Sequence, residues 1–348
     1  MRSIKFLAIA FLASSVVSCS MLQNDPYRGE RLKPIYKSDK TNYDTDDPAI
    51  WVNPLDVSKS LIVGTDKDSR GGLFVYDLQG KLVKNVPNLK RPNNVDIAYG
   101  FNFQEEKIDI AVTTEREENQ IRIYQLPSME EIGTIPVFLG EQERAPMGIS
   151  MYKNASSGEI YAVVGRKSGP SEGYLWQYLL TEKDGKVSGE VVRKFGKYSG
   201  VKEIEAIAVD NELGYIYYSD EQHGVRKYYA DPAKGNEELA IFGQQDFADD
   251  MEGISIYDSG DGKGYILVSD QGANTFNVYP REGDAAIANS HTRIAIVPVS
   301  TKSSDGSEVS NVNFGPDFPS GLFVAMSEGK VFHYYDWRVI QEIIEKQK

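Results

Sequence analysis

One pattern recurs six times along this chain: an alternating apolar strand, a polar or charged cluster, then a second strand ending near an aromatic residue. It runs as Leu61–Tyr76 (LIVGTDKDSRGGLFVY), Ile110–Tyr124, Tyr161–Tyr178, Tyr215–Tyr228, Tyr265–Tyr279 and Leu322–Tyr334. Val63, Val112, Val163, Tyr218, Val268 and Ala325 are taken as equivalent, at spacings of 49, 51, 55, 50 and 57 residues. A further short strand precedes each copy: DPAIWV, NVDIAYGF, MGISMY, IEAIAVD, MEGISIY and NVNFGPDF. A fourth often follows, as in Lys81–Val86 and Glu190–Phe195. Period-two alternation, β-branched and aromatic enrichment, and Gly, Asp and Asn turns read as antiparallel sheet. Four strands in about 50 residues, six times over, predict an all-β fold, a six-bladed β-propeller of four-stranded antiparallel blades. A parallel β-helix would need much shorter repeats. Only Trp337–Lys348 predicts a helix. The sixth unit ends short of strands, so the segment near Leu32–Lys37 is expected to complete that blade.

The N-terminus reads as an address. Arg2 and Lys5 precede the apolar run Phe6–Val17, the pattern of an export signal. That run is shorter than the ~20 apolar residues a membrane-spanning helix needs. Val16-Val17-Ser18-Cys19 resembles a bacterial lipobox, whose cysteine is lipidated and becomes the first residue. The expected organisation is therefore a signal peptide over 1–18, a tether over 19–40 holding the blade-closing segment, and the propeller over 41–348. An exported lipoprotein is expected, anchored through Cys19 to the outer or cell-surface membrane and touching it by that lipid alone. Cys19 is the single cysteine, which excludes disulfides and cysteine-built zinc sites. His223, His291 and His333 lie too far apart in sequence to suggest a local metal cluster. The formal charge of −13 becomes −15 once Arg2 and Lys5 are removed, which argues against non-specific nucleic-acid binding. A closed propeller needs no partner copy, so a monomer is expected.

In a propeller the innermost strands line a channel and their adjoining loops crowd one face. Here those loops are charged: Asp44/Asp46/Asp47, Asp66/Lys67/Asp68/Arg70, Glu115/Arg116/Glu117, Arg166/Lys167, Asp220/Glu221 and Asp250/Glu252. Carboxylates converging without counter-ions repel, so the arrangement calls for bound cations. Hard oxygen ligands favour Ca²⁺ over zinc or copper.

Asp44–Val52 (DTDDPAIWV) is similar to the signature strand of the β-propeller phytases, calcium-dependent enzymes acting on inositol hexakisphosphate. The resemblance continues in order through Asn93-Asn94-Val95-Asp96, Glu205 in IEAIAVD, Asp250-Met251-Glu252-Gly253, Ser269-Asp270-Gln271-Gly272 and Gly315-Pro316. It covers residues 40–340. What it implies is a 3-phytase, a phosphoric monoester hydrolase that releases phosphate and lower inositol phosphates by direct attack of a calcium-activated water. Asp44, Asp46 and Asp47 are implied ligands of an active-site cluster of several Ca²⁺ ions. Glu205, Glu221, Asp250 and Glu252 are the implied catalytic carboxylates, which bind calcium or orient the water. Asn94 and Asp96 resemble a structural calcium site at the channel, and Asp305 in SSDGSE is the best match to the family's last acidic loop. Lys67, Arg116 and Lys167 are implied phosphate ligands.

The chain departs from the family in places. Asp68 stands where a second lysine often follows Lys67, and Arg70 is expected to restore that charge. Met147 replaces a tyrosine that helps hold phosphate. Two decoys are set aside. Gln222-His223-Gly224-Val225-Arg226 approaches the histidine acid phosphatase loop but lacks its leading arginine and its proline. Asp258–Gly264 hints at an EF-hand yet has Ser269 at position twelve, and reads as a hairpin turn. Two other functions stay open at this stage. One is a six-bladed calcium lactonase or esterase, which would have little use for three cations. The other is a non-catalytic surface-binding propeller, since a fold alone does not specify chemistry.

Overall fold

The computed structural model describes residues 29–287 and 289–348; the segment expected to be a signal peptide, with Cys19, lies outside them. After β1 (Tyr36–Lys37), the first blade is β2 (Thr45–Trp51), β3 (Leu61–Asp66), β4 (Gly71–Tyr76) and β5 (Leu82–Leu89). The second holds β6 (Pro92–Phe103), β7 (Glu106–Glu115), β8 (Gln120–Leu126) and β9 (Glu130–Pro136). The third holds β10 (Pro146–Lys153), β11 (Ile160–Arg166), β12 (Glu172–Lys183) and β13 (Lys186–Lys197). The fourth is β14 (Ile207–Asp210), β15 (Tyr215–Asp220), β16 (Gly224–Tyr229) and β17 (Ala240–Phe242). The fifth is β18 (Met251–Gly260), β19 (Lys263–Asp270), β20 (Thr275–Pro280) and β21 (Ala295–Pro298). The sixth combines β22 (Ser307–Ser310), β23 (Leu322–Ser327) and β24 (Val331–Asp336) with β1 from the other end of the chain. Tyr36 pairs with Tyr334 and Lys37 with His333. Upstream, Leu32 bridges instead to Val299, so the N-terminal segment straddles the fifth and sixth blades.

Six apolar clusters fill the six gaps between neighbouring blades, and period-two alternation divides each strand between two of them. Ile62 faces the sixth blade, packing in the cluster of Phe332 and Tyr334. Val63 faces the second blade with Val95 and Tyr124. This alternation corrects the sequence-based alignment. Val63, Val112 and Val163 all face the following blade, but so do Tyr217, Leu267 and Val324, not Tyr218, Val268 and Ala325. A one-residue slip sends a side chain to the opposite face, and pairing similar-looking residues across repeats of unequal length concealed it.

A second correction concerns the sixth inner strand. NVNFGPDF (311–318) is a turn and β22 is the inner strand. Asn313 Oδ1 accepts from the Gly315 amide at 2.9 Å, Gly315 has φ of +105°, and Pro316 brings no amide hydrogen. The chain ends in α1 (Trp337–Glu345), N-capped by Asp336. Its apolar face is buried as Trp337, Ile340 and Ile344, with the Trp337 ring stacked 3.7 Å from Tyr257. The Asp258–Gly264 segment turns the β18–β19 hairpin through Asp261 and Gly262, both at positive φ.

Candidate active site

Two repeated devices shape the charged face. The last residue of each second strand clasps the loop that leads into the inner strand of its own blade. Asp66 accepts the Asn42, Tyr43 and Asp44 amides, Glu115 that of Lys90, Asp220 that of Ser199, and Asp270 that of Ala248. Ser327 accepts from the Lys302 amide. Arg166 reverses the polarity, donating to the Glu143 carbonyl at 3.1 Å. The residue before the clasp stitches onward to the next blade. Thr65 donates to the Asn93 carbonyl, Thr114 to Met147, Ser219 to Glu252 and Ser269 to Ser304. Part of the charge in most of the loop clusters therefore holds backbone in place.

The inner strands then bulge where these loops arrive. The register breaks between Thr45 and Pro48, Pro92 and Val95, Pro146 and Ile149, and Met251 and Ile254. Bulges re-aim side chains beside functional sites, and these carry Asp46 and Asp47, Asn93 and Asn94, Met147, and Glu252. Neighbouring blades meet closely here. A Cβ on Gly306 would lie 2.3 Å from Asp47 Oδ1, and one on Gly253 would lie 2.9 Å from the Asp305 carbonyl.

The resulting cluster has two sides. On one, the Lys67 ammonium contacts Asp46 and lies 3.2 Å from Asp305 and 3.7 Å from Glu205. Arg116 sits 3.7 Å from Glu205 and donates to Asn93 Oδ1, while the Asn93 amide donates to Glu205. On the other side, Lys202 bridges Glu221, at 3.1 Å, and Asp250. Lys167 pairs with Glu203 at 2.5 Å. Glu203, Glu205 and Glu221 each offer an oxygen within 4.8 Å of the others, as do Glu221, Asp250 and Glu252. Glu221 is common to both groups.

The electrostatics follow from burial. Burial works against ionised Glu205, yet Lys67, the Asn93 amide and Arg116 together hold it below the usual carboxylate range. Burial pushes Glu221 up to about 8 even with Lys202 against it. Glu252, buried beside Glu205, Glu221 and Asp305, is raised well above its ordinary value, and burial raises Asp46 and Asp47 likewise. Burial lowers the tendency of Lys67 to hold its proton, but Asp46, Glu205 and Asp305 more than reverse that. Beyond the ion pairs with Lys67 and Lys202, both oxygens of Asp46 and Glu221, and Glu252 Oε2, are buried without a hydrogen bond. Carboxylates in this condition fit a hard divalent cation, which would reverse their pKa shifts.

Below this cluster lies a channel cavity of about 130 Å³, lined by Asp47, Asn94, Asp96, Ser150, Ser255 and Glu308 among others. Asp96 accepts from Ser150 Oγ at 2.9 Å and from the Met151 and Ile97 amides. Burial nonetheless brings Asp96 up to about 6, and Glu308, buried near Asp96, well above its ordinary value.

The fold thus brings Asp46, Asp47, Asn94, Glu205, Glu221, Asp250, Glu252 and Asp305 together, with Lys67, Arg116 and Lys167 around them. Asp96 lies deeper in the channel. Arg70 does not join the cluster: it is exposed, 3.2 Å from Asp68 and stacked 4.4 Å over the Tyr43 ring. Asp44 is exposed and contributes backbone to the Asp66 clasp. Met147 is fully buried, and its carbonyl receives Thr114. Four further residues belong to the site and escaped sequence reasoning: Lys202, Arg91, Glu203 and Glu308. Lys202 and Arg91 stand just ahead of Glu205 and Asn93 in their loops, a position shared by Lys302 ahead of Asp305, and that shared cation could have revealed them. Arg91 has φ of +58°, and no carboxylate lies within ion-pair distance of it among the described residues. Glu308 pairs with Val324 as Asp96 pairs with Val112, an equivalence hidden by the misplaced sixth inner strand.

A propeller with paired carboxylate groups and cations gathered at one channel mouth defines the class, and the comparisons agree. Residues 6–334 match the phytase family, and the chain belongs to it. It is 33% identical over 289 residues to a 3-phytase of Bacillus subtilis (strain 168), covering 80% of this chain and 73% of that protein. Among solved structures, Kuenenia stuttgartiensis hydrazine synthase aligns with 83% of this chain and 82% of its own, with a TM-score of 0.52. At 13% identity that likeness is one of fold alone.

Proposed function

We propose that this protein is a calcium-dependent 3-phytase that hydrolyses phytate to lower inositol phosphates and phosphate. The observation that carries the reading is the pair of carboxylate groups sharing Glu221, set directly beside Lys67 and Arg116. Asp46, Asp47, Glu205, Glu221, Asp250, Glu252 and Asp305 are the residues that would hold calcium. Calcium, when bound, supplies positive charge toward phosphoryl oxygens and lowers the pKa of water. The protein's own groups do the remainder. Lys67, Arg116 and Lys167 bind and orient phosphate, Arg116 with a planar fork suited to two oxygens. Glu205 stays ionised among its donors and can take a proton from water beside the bound ester. The polyanionic substrate meets cations although the chain as a whole carries a charge of −13. The same reading makes the protein an exported lipoprotein held by Cys19, supported by the Met1–Cys19 pattern.

The test is direct. Residues 20–348 are incubated with phytate, in Ca²⁺ or in EDTA, and free phosphate is measured. Release in Ca²⁺ and its loss in EDTA are expected. No release in Ca²⁺ from neutral to alkaline pH overturns the reading.

A further inference from the structure

Lys202 stands apart from the other cations of the site. Lys67 and Arg116 lie toward Asp46 and Glu205, and Lys167 pairs outward with Glu203. Lys202 instead places its ammonium between Glu221 and Asp250, two of the three residues of the second carboxylate group. The third, Glu252, has no cation within ion-pair distance among the described residues. Glu221 is fully buried, and apart from the Lys202 ion pair neither of its oxygens receives a hydrogen bond. Its charge is met by Lys202 alone among the ion pairs of the described residues.

The backbone around Lys202 is fixed. Asp220 holds both the amide and the hydroxyl of Ser199, the Tyr198 hydroxyl donates to the Lys202 carbonyl, and the Glu221 amide donates to the Glu203 carbonyl. The side chain is not enclosed, with 37% of it exposed against 0% for Glu221. A pinned backbone with a half-open, four-carbon side chain leaves the ammonium as the movable part. An ammonium and a divalent ion cannot share one pair of carboxylate edges at contact distance, because their charges repel as both are attracted.

We propose that Lys202 is a tethered cation that fills the place between Glu221 and Asp250 in the metal-free protein and must swing out before a divalent ion binds there. The proposal rests on the calcium reading above. Two consequences follow. The carboxylate group is neutralised in part without metal, so the metal-free protein keeps its fold at the channel mouth. Calcium binds more weakly than the carboxylates alone would allow, because the competent state is only fractionally populated.

The experiment is a calorimetric titration of Ca²⁺ into metal-stripped wild type, Lys202→Gln and Lys202→Arg, with melting curves of each in EDTA. If the ammonium is absent from the site a tenth of the time, removing it tightens binding about ten-fold. Lys202→Gln is therefore expected to bind calcium more tightly than wild type and to melt lower in EDTA. Lys202→Arg keeps the charge and is expected to stay close to wild type in both readouts. Wild-type binding with unchanged or weaker affinity in Lys202→Gln overturns the tether and leaves the calcium reading standing. Absence of calcium binding in all three proteins overturns both. A Lys202→Gln protein that does not fold is itself contrary to a replaceable counter-ion, and the Lys202→Arg titration then reads calcium binding alone.

Discussion

Glu205 and Glu221 lie within reach of one metal ion and are driven in opposite directions. Glu205 is ringed by Lys67, Arg116 and the Asn93 amide and stays ionised; Glu221 has Lys202 on one side and burial on the others and is pushed up to about 8. Two carboxylates of similar burial can so take different tasks, one kept ionised by its own donors, the other in need of a cation. Glu205→Gln keeps the volume and the hydrogen bond with Asn93 while removing the charge. It should lower kcat on phytate about 10²-fold or more, the scale of losing a positioned base, with an unchanged circular dichroism spectrum. Turnover like wild type would remove Glu205 from the chemistry. The identity of these carboxylates was legible through the ordered motifs. Their opposed pKa shifts were not, because Glu205 depends on side chains arriving from the first and second blades, and Glu221 on burial and on Lys202 from the loop ahead of β14.

Within each blade, the end of the second strand divides its labour between neighbouring residues. Asp66 collects three backbone amides, while Asp68, two positions on, pairs with exposed Arg70. Sequence places both in one charged cluster; the elements separate them. Asp66→Ala is expected to cost about 3 kcal/mol, since hydrogen bonds to a charged acceptor are the stronger kind and three donors lose it. Asp68→Ala should stay within about 1 kcal/mol, the range of an exposed ion pair. Urea unfolding of the two variants measures the contrast, and equal costs would show that Asp66 is no clasp. The alternation that announced sheet was fully legible, since it reflects two buried faces per strand. The register across repeats was legible only in the first three copies. Tyr217-Tyr218, Leu267-Val268 and Val324-Ala325 offer two apolar residues side by side, and nothing local says which faces the following blade.

For the molecule as a whole, closure is a joint property of both chain ends. β1 completes the blade begun by β22–β24, and Arg31 reaches the Asn274 and Ala273 carbonyls of the fifth blade. The same end carries Cys19, so an anchored protein would be held from its closing blade. Detergent phase partition checks this: the full-length protein made in bacteria should enter the detergent phase, and Cys19→Ala should remain aqueous. Partition of the full-length protein to the aqueous phase would overturn the anchor.

The sequence by itself determined the blade number, the class of sheet, the channel-mouth location of the charge and most of the carboxylates. These are written in period, in turn residues and in short ordered motifs, all of which survive without knowledge of neighbours. Only the tertiary structure decided which acids clasp backbone and which face the cavity, and that Arg70 leaves the site while Lys202, Arg91, Glu203 and Glu308 belong to it. It also moved the sixth inner strand to β22. The reason is physical: a side chain's role at a propeller's mouth is fixed by residues distant in sequence, from Lys202 beside Glu221 within one blade to Lys67 beside Asp305 across two, brought together by blade pairing and by closure of the ring.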